Sequence, residues 1–386
     1  MRISCVHQGS ELYGSDRCFI ESVHVIRSCY PEANIEVVLP RDGPIVEPLR
    51  ALATEIRFEP LWILRRRGLL RLALSAPLRL PTALLAAARR FRRSDLVYVN
   101  TSVVIDHAVV SRFFPGRAIL HVHEIPERNA LFAFRILLRW SKARIVFNSK
   151  ATRNAFDLPP SATSCVIYNG IAVEAAEPVQ AFDGIRPLRV LMLGRISRIK
   201  GQEVLIEAVA RLPRSVRQSI SVRIVGNAFE DEAREDGLRR LITEKGLDGV
   251  ISLLPFVADP TDHYRWADVV AVPSRRPESL GRVAIEAMAH GRPPIVSAIG
   301  GLTEIVEDGS TGWVVPPGDI ESLADALAKI IRSPVSWRHF PQAAHARYLS
   351  LFSEGAAAEK IAMLIGEMLA EAERDPARGE VIAAVK

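Results

Sequence analysis

The sequence predicts an α/β fold made of two doubly wound parallel-sheet domains, and three observations carry that prediction. Short apolar runs alternate with longer stretches of helical periodicity along almost the whole chain. Twelve such runs occur, more than one open sheet is expected to hold. A stretch with little helical periodicity, residues 172–187, contains Pro178, Gly184 and Pro187 and separates two halves of similar size. Runs that are apolar on both faces suit parallel strands covered by helices on both sides. Their alternation with helices is the pattern of repeated βαβ units.

The first six runs lie at residues 3–6, 35–39, 96–99, 118–122, 145–147 and 165–168. The second six lie at 189–193, 222–225, 250–253, 269–272, 295–297 and 313–315. The expected organisation is a first Rossmann-like domain over 1–172, a linker over 173–187 and a second domain over 188–350. A C-terminal helix and tail follow over 351–386, with the helical pattern strongest at 356–373. Ligands of open α/β sheets sit at the carboxyl ends of the strands. Two such domains facing each other would place a site in the cleft between them.

Composition narrows the function classes. Charged residues make up 24% and hydrophobic residues 48% of the chain, which excludes a disordered chain, a coiled coil and a collagen-like fibre. Fifty basic against 44 acidic residues give a net charge of +6, and the pI of about 9.3 raises a nucleic-acid or anionic-membrane reading. The four cysteines, Cys5, Cys18, Cys29 and Cys165, form no C-x-x-C. That argues against a disulfide framework or thiolate zinc site and fits a reducing compartment. The N-terminus carries no apolar stretch of signal-peptide length. The longest apolar tract, around 68–88, is cut by Arg71, Pro77, Arg79 and Pro81 and falls short of the ~18 apolar residues of a spanning helix. A soluble cytoplasmic location is expected.

The chemistry concentrates in the second half. Gly194 ends a strand, Arg195 and Lys200 lie in the following loop, and a helix starts near Gly201. Two cations beside a helix N-terminus make an anion site, because the dipole and the free N–H groups add to their charge. Two solvated basic residues on a loop are the plain alternative. Further on, Glu278 precedes a helix whose start suits Ser279 and Gly281, and Glu286 follows eight residues later. Gly291 suits the C′ position, and Pro293 and Pro294 stop the helix. Eight residues of helix span roughly 12 Å, about the distance from the sugar to the ribose of a nucleotide diphosphate sugar. The N–H groups of Leu280, Gly281 and Arg282 would then point at the diphosphate. The alternative is Glu278 as a helix-dipole carboxylate and Glu286 as a surface residue.

On these residues the chain resembles the family-4 retaining glycosyltransferases, which have the GT-B architecture. The resemblance is strong over residues 189 to about 331. Gly194-Arg195 with Lys200-Gly201 resembles the family's G-R-x(4)-K-G element, whose Arg and Lys bind the donor diphosphate. Glu278-x(7)-Glu286 resembles its E-x7-E element, in which the first Glu contacts the donor sugar and the second the ribose. Gly300-Gly301-x-x-Glu304-Ile305-Val306 and Asp308-Gly309-x-x-Gly312 continue the pattern. The resemblance implies transfer from a UDP- or GDP-linked sugar with retention, through front-side departure and attack. It also implies a C-terminal helix that crosses back to the first domain. On that resemblance Arg195, Lys200 and Glu278, with His123 from the first half, are the expected catalytic residues. Gly14, Leu280, Gly281, Arg282 and Glu286 complete the donor site.

In the first half, Gly9-Ser10-Glu11-Leu12-Tyr13-Gly14-Ser15-Asp16 follows the first strand and precedes a helix. A glycine there lets backbone approach a phosphate or sugar closely, though a plain βα turn reads equally well. The spacing is not G-x-G-x-x-G. His121 and His123 fall on one face of a strand end, followed by Glu124. No third distant ligand makes a metal site of them, and a satisfied histidine at a strand end is the plain reading. The resemblance assigns His123 to the transferred sugar and Gly14 to the donor phosphates and acceptor, and Asn169-Gly170 reads as structural. Phe256 and Val257 either flank the base or pack in the core at a strand end. The sequence has no D-x-D, so cations and a helix N-terminus are expected to neutralise the leaving diphosphate, with no metal and no cofactor.

Between Trp62 and Arg93 lie nine arginines and no acidic residue, interspersed with leucines. This segment suits an anionic membrane surface, or a helix pair packed on its own domain with a basic outer face. It is too rich in leucine for a nucleic-acid patch. Removing its +9 from the net +6 leaves −3 for the rest of the chain, so the basicity is local. A membrane carrying a lipid-linked glycan acceptor is the expected partner, as in bacterial capsule, exopolysaccharide or O-antigen assembly. A sugar-nucleotide epimerase or phosphorylase, and a non-catalytic membrane or nucleic-acid adaptor, are the alternatives.

Overall fold

A computed structural model describes the chain except Tyr13, residues 65–68, Glu127, 174–181, 229–231 and 375–386; for 69–78, 128, 129 and 373 it describes the backbone alone. Arg65–Arg67, most of the expected linker and the expected C-terminal tail therefore lie outside the described residues. The chain divides into two units, Met1–Ala172 with the residues from Glu354 onward, and Val173–Ser353.

The first unit is built on seven parallel strands: β1 (Arg2–Val6), β2 (Asn34–Leu39), β3 (Glu55–Phe58), β4 (Leu96–Val99), β5 (Ala118–Val122), β6 (Arg144–Phe147) and β7 (Ser164–Val166). Their order is β3-β2-β1-β4-β5-β6-β7. Strand alternation divides the core between the two faces. Ile35, Val37 and Leu39 of β2 pack with the helices Gly14–Cys29 and Glu354–Arg374. Val38 faces the other way, as do Val97 and Val99 of β4, towards the layer that includes Phe91, Ala108, Phe134 and Phe156. β3 is absent from the twelve expected runs. Its sequence, Glu-Ile-Arg-Phe, forms an edge strand with both ends exposed, so no continuous apolar run marks it.

The segment 69–93 is one helix, Leu69–Arg93, and not the helix pair of the alternative reading; Pro77 and Pro81 do not divide it. Nor is its basic face complete. Arg90 is buried, with Nη2 2.7 Å from Glu59 and Nη1 2.9 Å from His107 Nε2. The C-terminal helix Glu354–Arg374 joins the first unit through Ile361, Leu364, Ile365 and Met368. No helix among the described residues is long and apolar enough to cross a membrane.

The second unit has six parallel strands: β8 (Leu188–Leu193), β9 (Ile220–Val225), β10 (Ile251–Leu254), β11 (Val269–Val272), β12 (Pro294–Ser297) and β13 (Trp313–Val315). Their order, β10-β9-β8-β11-β12-β13, repeats the winding of the first sheet. Residues 182–187, expected in the linker, are structured parts of this unit. Phe182 is buried against Trp337, and Arg186 grips Asp268 with two 2.6 Å bonds.

Candidate functional site

In the second unit β8 and β11 are neighbours at the point where the strand order reverses, where doubly wound sheets bind ligands. The loop after β8 leads to the helix Gln202–Arg211, and the loop after β11 leads to the helix Arg282–Ala289. Lys200 Nζ donates to Glu278 Oε1 at 2.8 Å, and the Ser274 hydroxyl donates to the same oxygen. The two loops touch directly. Arg275 N–H donates to Ile199 O at 2.7 Å, and Gly201 sits at φ +81°, where a Cβ would stand 2.1 Å from Pro273 O. Buried Gln202 pins the first loop, its Nε2 donating to Arg195 O at 3.1 Å. Arg195 itself is exposed on that loop.

Both helices start at a left-handed glycine, Gly201 and Gly281, with no side-chain cap. The expected helical span from Glu278 to Glu286 needs correction. The helix begins at Arg282, so Glu278 lies in the loop and the ~12 Å helical rise does not apply; four residues of helix rise about 6 Å. Gly301 N–H holds the Glu278 carbonyl at 2.9 Å, and Leu280 is buried beneath. Glu286 accepts from Arg282 Nε at 2.6 Å and from the buried Tyr264 hydroxyl at 2.8 Å. The structure thus brings Lys200 to Glu278 and Arg282 to Glu286. Ser274, Gln202 and Tyr264 were not read from the sequence. Ser274 stands four residues before Glu278 just past a buried strand, a signal too common to single it out. Phe256 is half exposed, with its N–H held by Asn227 Oδ1 at 2.8 Å, so it does not pack in the core.

In the first unit, buried polar groups meet at the carboxyl ends of β1, β4 and β5. His7 Nε2 lies 2.8 Å from Asp16 Oδ1, Asn100 Nδ2 lies 3.3 Å from His7 Nδ1 and 3.4 Å from Ser15 O, and His123 Nε2 lies 2.9 Å from Asn100 Oδ1. A main-chain carbonyl only accepts, so Ser15 O fixes the amide nitrogen of Asn100 on its side. His7 Nδ1 is then an acceptor, His7 Nε2–H donates to Asp16, and His123 Nε2–H donates to Asn100 Oδ1. Beside it, His121 Nδ1 is 2.6 Å from Tyr98 Oη, and the two imidazoles stand 4.0 Å apart. His121 Nε2 is buried without a hydrogen-bond partner. Gly14 opens the helix Gly14–Cys29, and a Cβ there would meet no atom within 4 Å. Gly9, by contrast, is packed against the protein itself, since a Cβ there would stand 1.9 Å from Asp16 Oδ1.

Burial sets the charge states. It pushes the His121 imidazole down to about 3. It also holds His123 well below 6.5, reinforced by His121 and His7 and opposed by Asn169. The Glu124 carboxyl is pushed up to about 7 by desolvation, against the Thr101 hydroxyl. Unfolding lets the two histidines take up protons, so their contribution to stability is full above about pH 6.5 and is lost as pH falls towards 3. Glu124 acts in the opposite sense, its contribution falling as pH rises from 4.5 to about 7. Urea unfolding of His121→Asn is expected to show a shallower loss of stability in acid than the parent chain. In Asn100→Asp a carboxylate replaces the amide beside His123 Nε2–H. Nitrogen-15 NMR is expected to find His123 as the imidazolium near neutral pH in that variant, and as the neutral Nε2–H form in the parent. Among the described residues no group of three or more His, Cys, Asp or Glu is placed to hold a metal ion.

Comparison with known proteins bears on the second unit. Residues 183–347 match the family described as glycosyl transferases group 1. The D-inositol 3-phosphate glycosyltransferase of Kribbella flavida is 39% identical over 163 residues, 39% of this chain and 37% of the relative. Its counterpart from Mycobacterium tuberculosis is 35% identical over 205 residues, 50% of this chain and 40% of the relative. The match thus spans well under half the length of these relatives. Over nearly the whole chain the fold is that of solved structures. Anabaena HepE in complex with UDP superposes with a TM-score of 0.78 over 95% of this chain and 100% of that one, at 24% identity. The lipopolysaccharide outer core galactosyltransferase WaaB superposes with a TM-score of 0.74 over 95% and 99%, at 15% identity. The fold class is therefore the expected GT-B one, with a doubly wound parallel sheet in each unit. Residues 183–347, which carry Lys200, Glu278 and Glu286, are the part of the chain that matches the group 1 glycosyl transferases.

Proposed function

We propose that the chain is a family-4 retaining glycosyltransferase that moves a hexose from a UDP- or GDP-linked donor to a lipid-linked glycan acceptor. The carrying observation is the Lys200–Glu278–Ser274 cluster at the β8/β11 crossover, beside two helices that begin without side-chain caps. As the C1–O bond to the diphosphate breaks, negative charge grows on the leaving oxygen. Arg195, Lys200 and the helix start at Arg282 lie on the loops that meet it, and fixed positive charge there lowers the barrier. The acceptor oxygen attacks from the same face, and its proton passes to the departing diphosphate. Glu278 binds the transferred sugar, Glu286 the ribose and Phe256 the base; His123 is a further sugar contact and Gly14 leaves room for a ligand. HepE is solved with UDP and with UDP-glucose, which supports a nucleotide-sugar donor. No metal or other cofactor enters this reading.

The setting proposed is the cytoplasmic face of a bacterial plasma membrane, in capsule, exopolysaccharide or O-antigen assembly. Support comes from the exposed Arg89, Arg92 and Arg93 of the helix Leu69–Arg93. A thermal-shift panel of UDP- and GDP-sugars, run with and without EDTA, tests the donor. One nucleotide sugar raising the transition equally in both conditions is expected. No shift with any of them would reject the reading, and free-sugar release without an acceptor would favour the epimerase or phosphorylase alternative.

A further inference from the structure

The helix Arg128–Ser141 departs from the usual division of a surface helix into an apolar inner face and a polar outer one. Its inner face is apolar as expected, with Phe134 and Leu138 buried in the first unit's core. Its outer face is apolar too. Phe132, Ile136 and Trp140 are 66%, 54% and 45% exposed, at a spacing of four residues that turns only about 40° per step. They form one ridge along the helix. Phe113, on the adjoining turn Ser111–Phe113, is 69% exposed. Trp140 is held in this outward position: the Arg112 guanidinium lies 4.3 Å from its ring centroid, and Arg112 Nη1 donates to Trp140 O at 3.2 Å.

The helix itself carries only basic charge, Arg128, Arg135 and Arg139, with Glu127 just before it and the Arg144–Glu371 pair just beyond it. From residue 128 to residue 156 the sequence has seven basic residues and no acidic one. Arg139 and Lys142 are exposed at the end of the ridge near Trp140. We infer that this outer face docks on an anionic lipid bilayer, with Phe132, Ile136 and Trp140 entering the headgroup region and Arg139 and Lys142 meeting lipid phosphates. An apolar ridge bordered by cations is what binds a helix flat on such a surface, and aromatic rings settle at that depth. Basic residues near an anionic surface add to the attraction. A second copy of the chain fits less well. One ridge of three side chains is small beside the ~800 Å² per partner of a stable interface.

The surface is distinct from the arginine segment proposed above, and its test does not involve glycosyl transfer. Flotation with phosphatidylglycerol/phosphatidylcholine vesicles, compared with phosphatidylcholine alone, measures it on the full chain. The parent is expected to bind the anionic vesicles, and a variant with Phe132→Ser, Ile136→Ser and Trp140→Ser to bind them at least 10-fold more weakly. Arg139→Gln with Lys142→Gln should cost about fivefold per charge, on anionic vesicles only. An unchanged thermal transition in each variant shows that the fold is intact. Binding of the triple variant within twofold of the parent would overturn the inference, as would equal binding of the parent to both vesicle types. If replacing Arg89, Arg92 and Arg93 by Gln abolished binding while the triple variant kept it, the arginine segment would stand and this surface would not. Sedimentation that finds a parent dimer dissociated by the triple variant would assign the ridge to a second copy and overturn it too.

Discussion

Lys200→Ala is expected to lower kcat for sugar transfer by about 10²–10³-fold, the usual cost of removing one preorganised group that meets developing negative charge. Lys200 is not the last cation of the site, since Arg195 shares its loop, so a residual rate is expected. The Lys200–Glu278 pair is part-buried, with 26% of the Lys and 13% of the Glu side chain exposed, so the variant should lose more than the ~0–1 kcal/mol of a surface pair and less than the ~3–5 kcal/mol of a fully buried one, and should still fold. Lys200→Arg should not rescue the rate, because a planar fork does not replace a point charge on a flexible stem. Glu278→Ala should abolish transfer, a larger effect than Lys200→Ala, and Glu278→Gln, which keeps the contact to Ser274 possible, should be milder. Single-turnover kinetics with the donor identified by thermal shift would measure all four variants. Full activity in Lys200→Ala or Glu278→Ala would remove these residues from the site.

Gly201→Ala is expected to cost about 3 kcal/mol of stability in the second unit. The left-handed backbone at φ +81° costs a residue with a Cβ about 1–2 kcal/mol. The new methyl would also stand 2.1 Å from Pro273 O, a main-chain atom that moves only if one of the two loops moves; such overpacking typically adds 1–3 kcal/mol. The shift would separate Lys200 from Glu278, because Gly201 follows Lys200 in the chain and the Pro273 carbonyl carbon is bonded to the nitrogen of Ser274, whose hydroxyl donates to Glu278. Loss of activity and of stability should therefore appear together, with the transition lowered by roughly 6–12 °C. Gly14→Ala is the control: its Cβ meets nothing within 4 Å, so the fold should tolerate it. A Gly201→Ala variant that melts with the parent would show that the two loops are not held against each other.

The strands were legible because parallel sheets covered on both faces leave nearly continuous apolar runs, and β11, Val-Val-Ala-Val, is such a run. β3 was not, since an edge strand can carry Glu55 and Arg57 at little cost. Lys200, Glu278 and Glu286 could be read because they sit at fixed short spacings beside glycines that mark helix starts. Their fixing partners could not. Ser274 reaches Glu278 only because of how the loop turns, Tyr264 reaches Glu286 from another helix, and Asn100 joins His7 to His123 across three strands. No local pattern encodes such long-range meetings. The same holds for Arg90, counted with the basic segment by composition but turned inward to Glu59 and His107.

The helix Glu354–Arg374 supplies Ile361, Leu364, Ile365 and Met368 to a core whose other members precede residue 173. During synthesis the first unit is begun first and completed last. The apolar surface that this helix covers, beside the helix Gly14–Cys29, must wait uncovered while the whole of Val173–Ser353 emerges from the ribosome. The second unit, continuous in sequence, has all its own residues in hand before that helix exists. Nascent chains held by chaperones or cut by proteases are therefore expected to be vulnerable at the unit translated first, and shortening the helix should harm the part of the protein farthest from it in sequence.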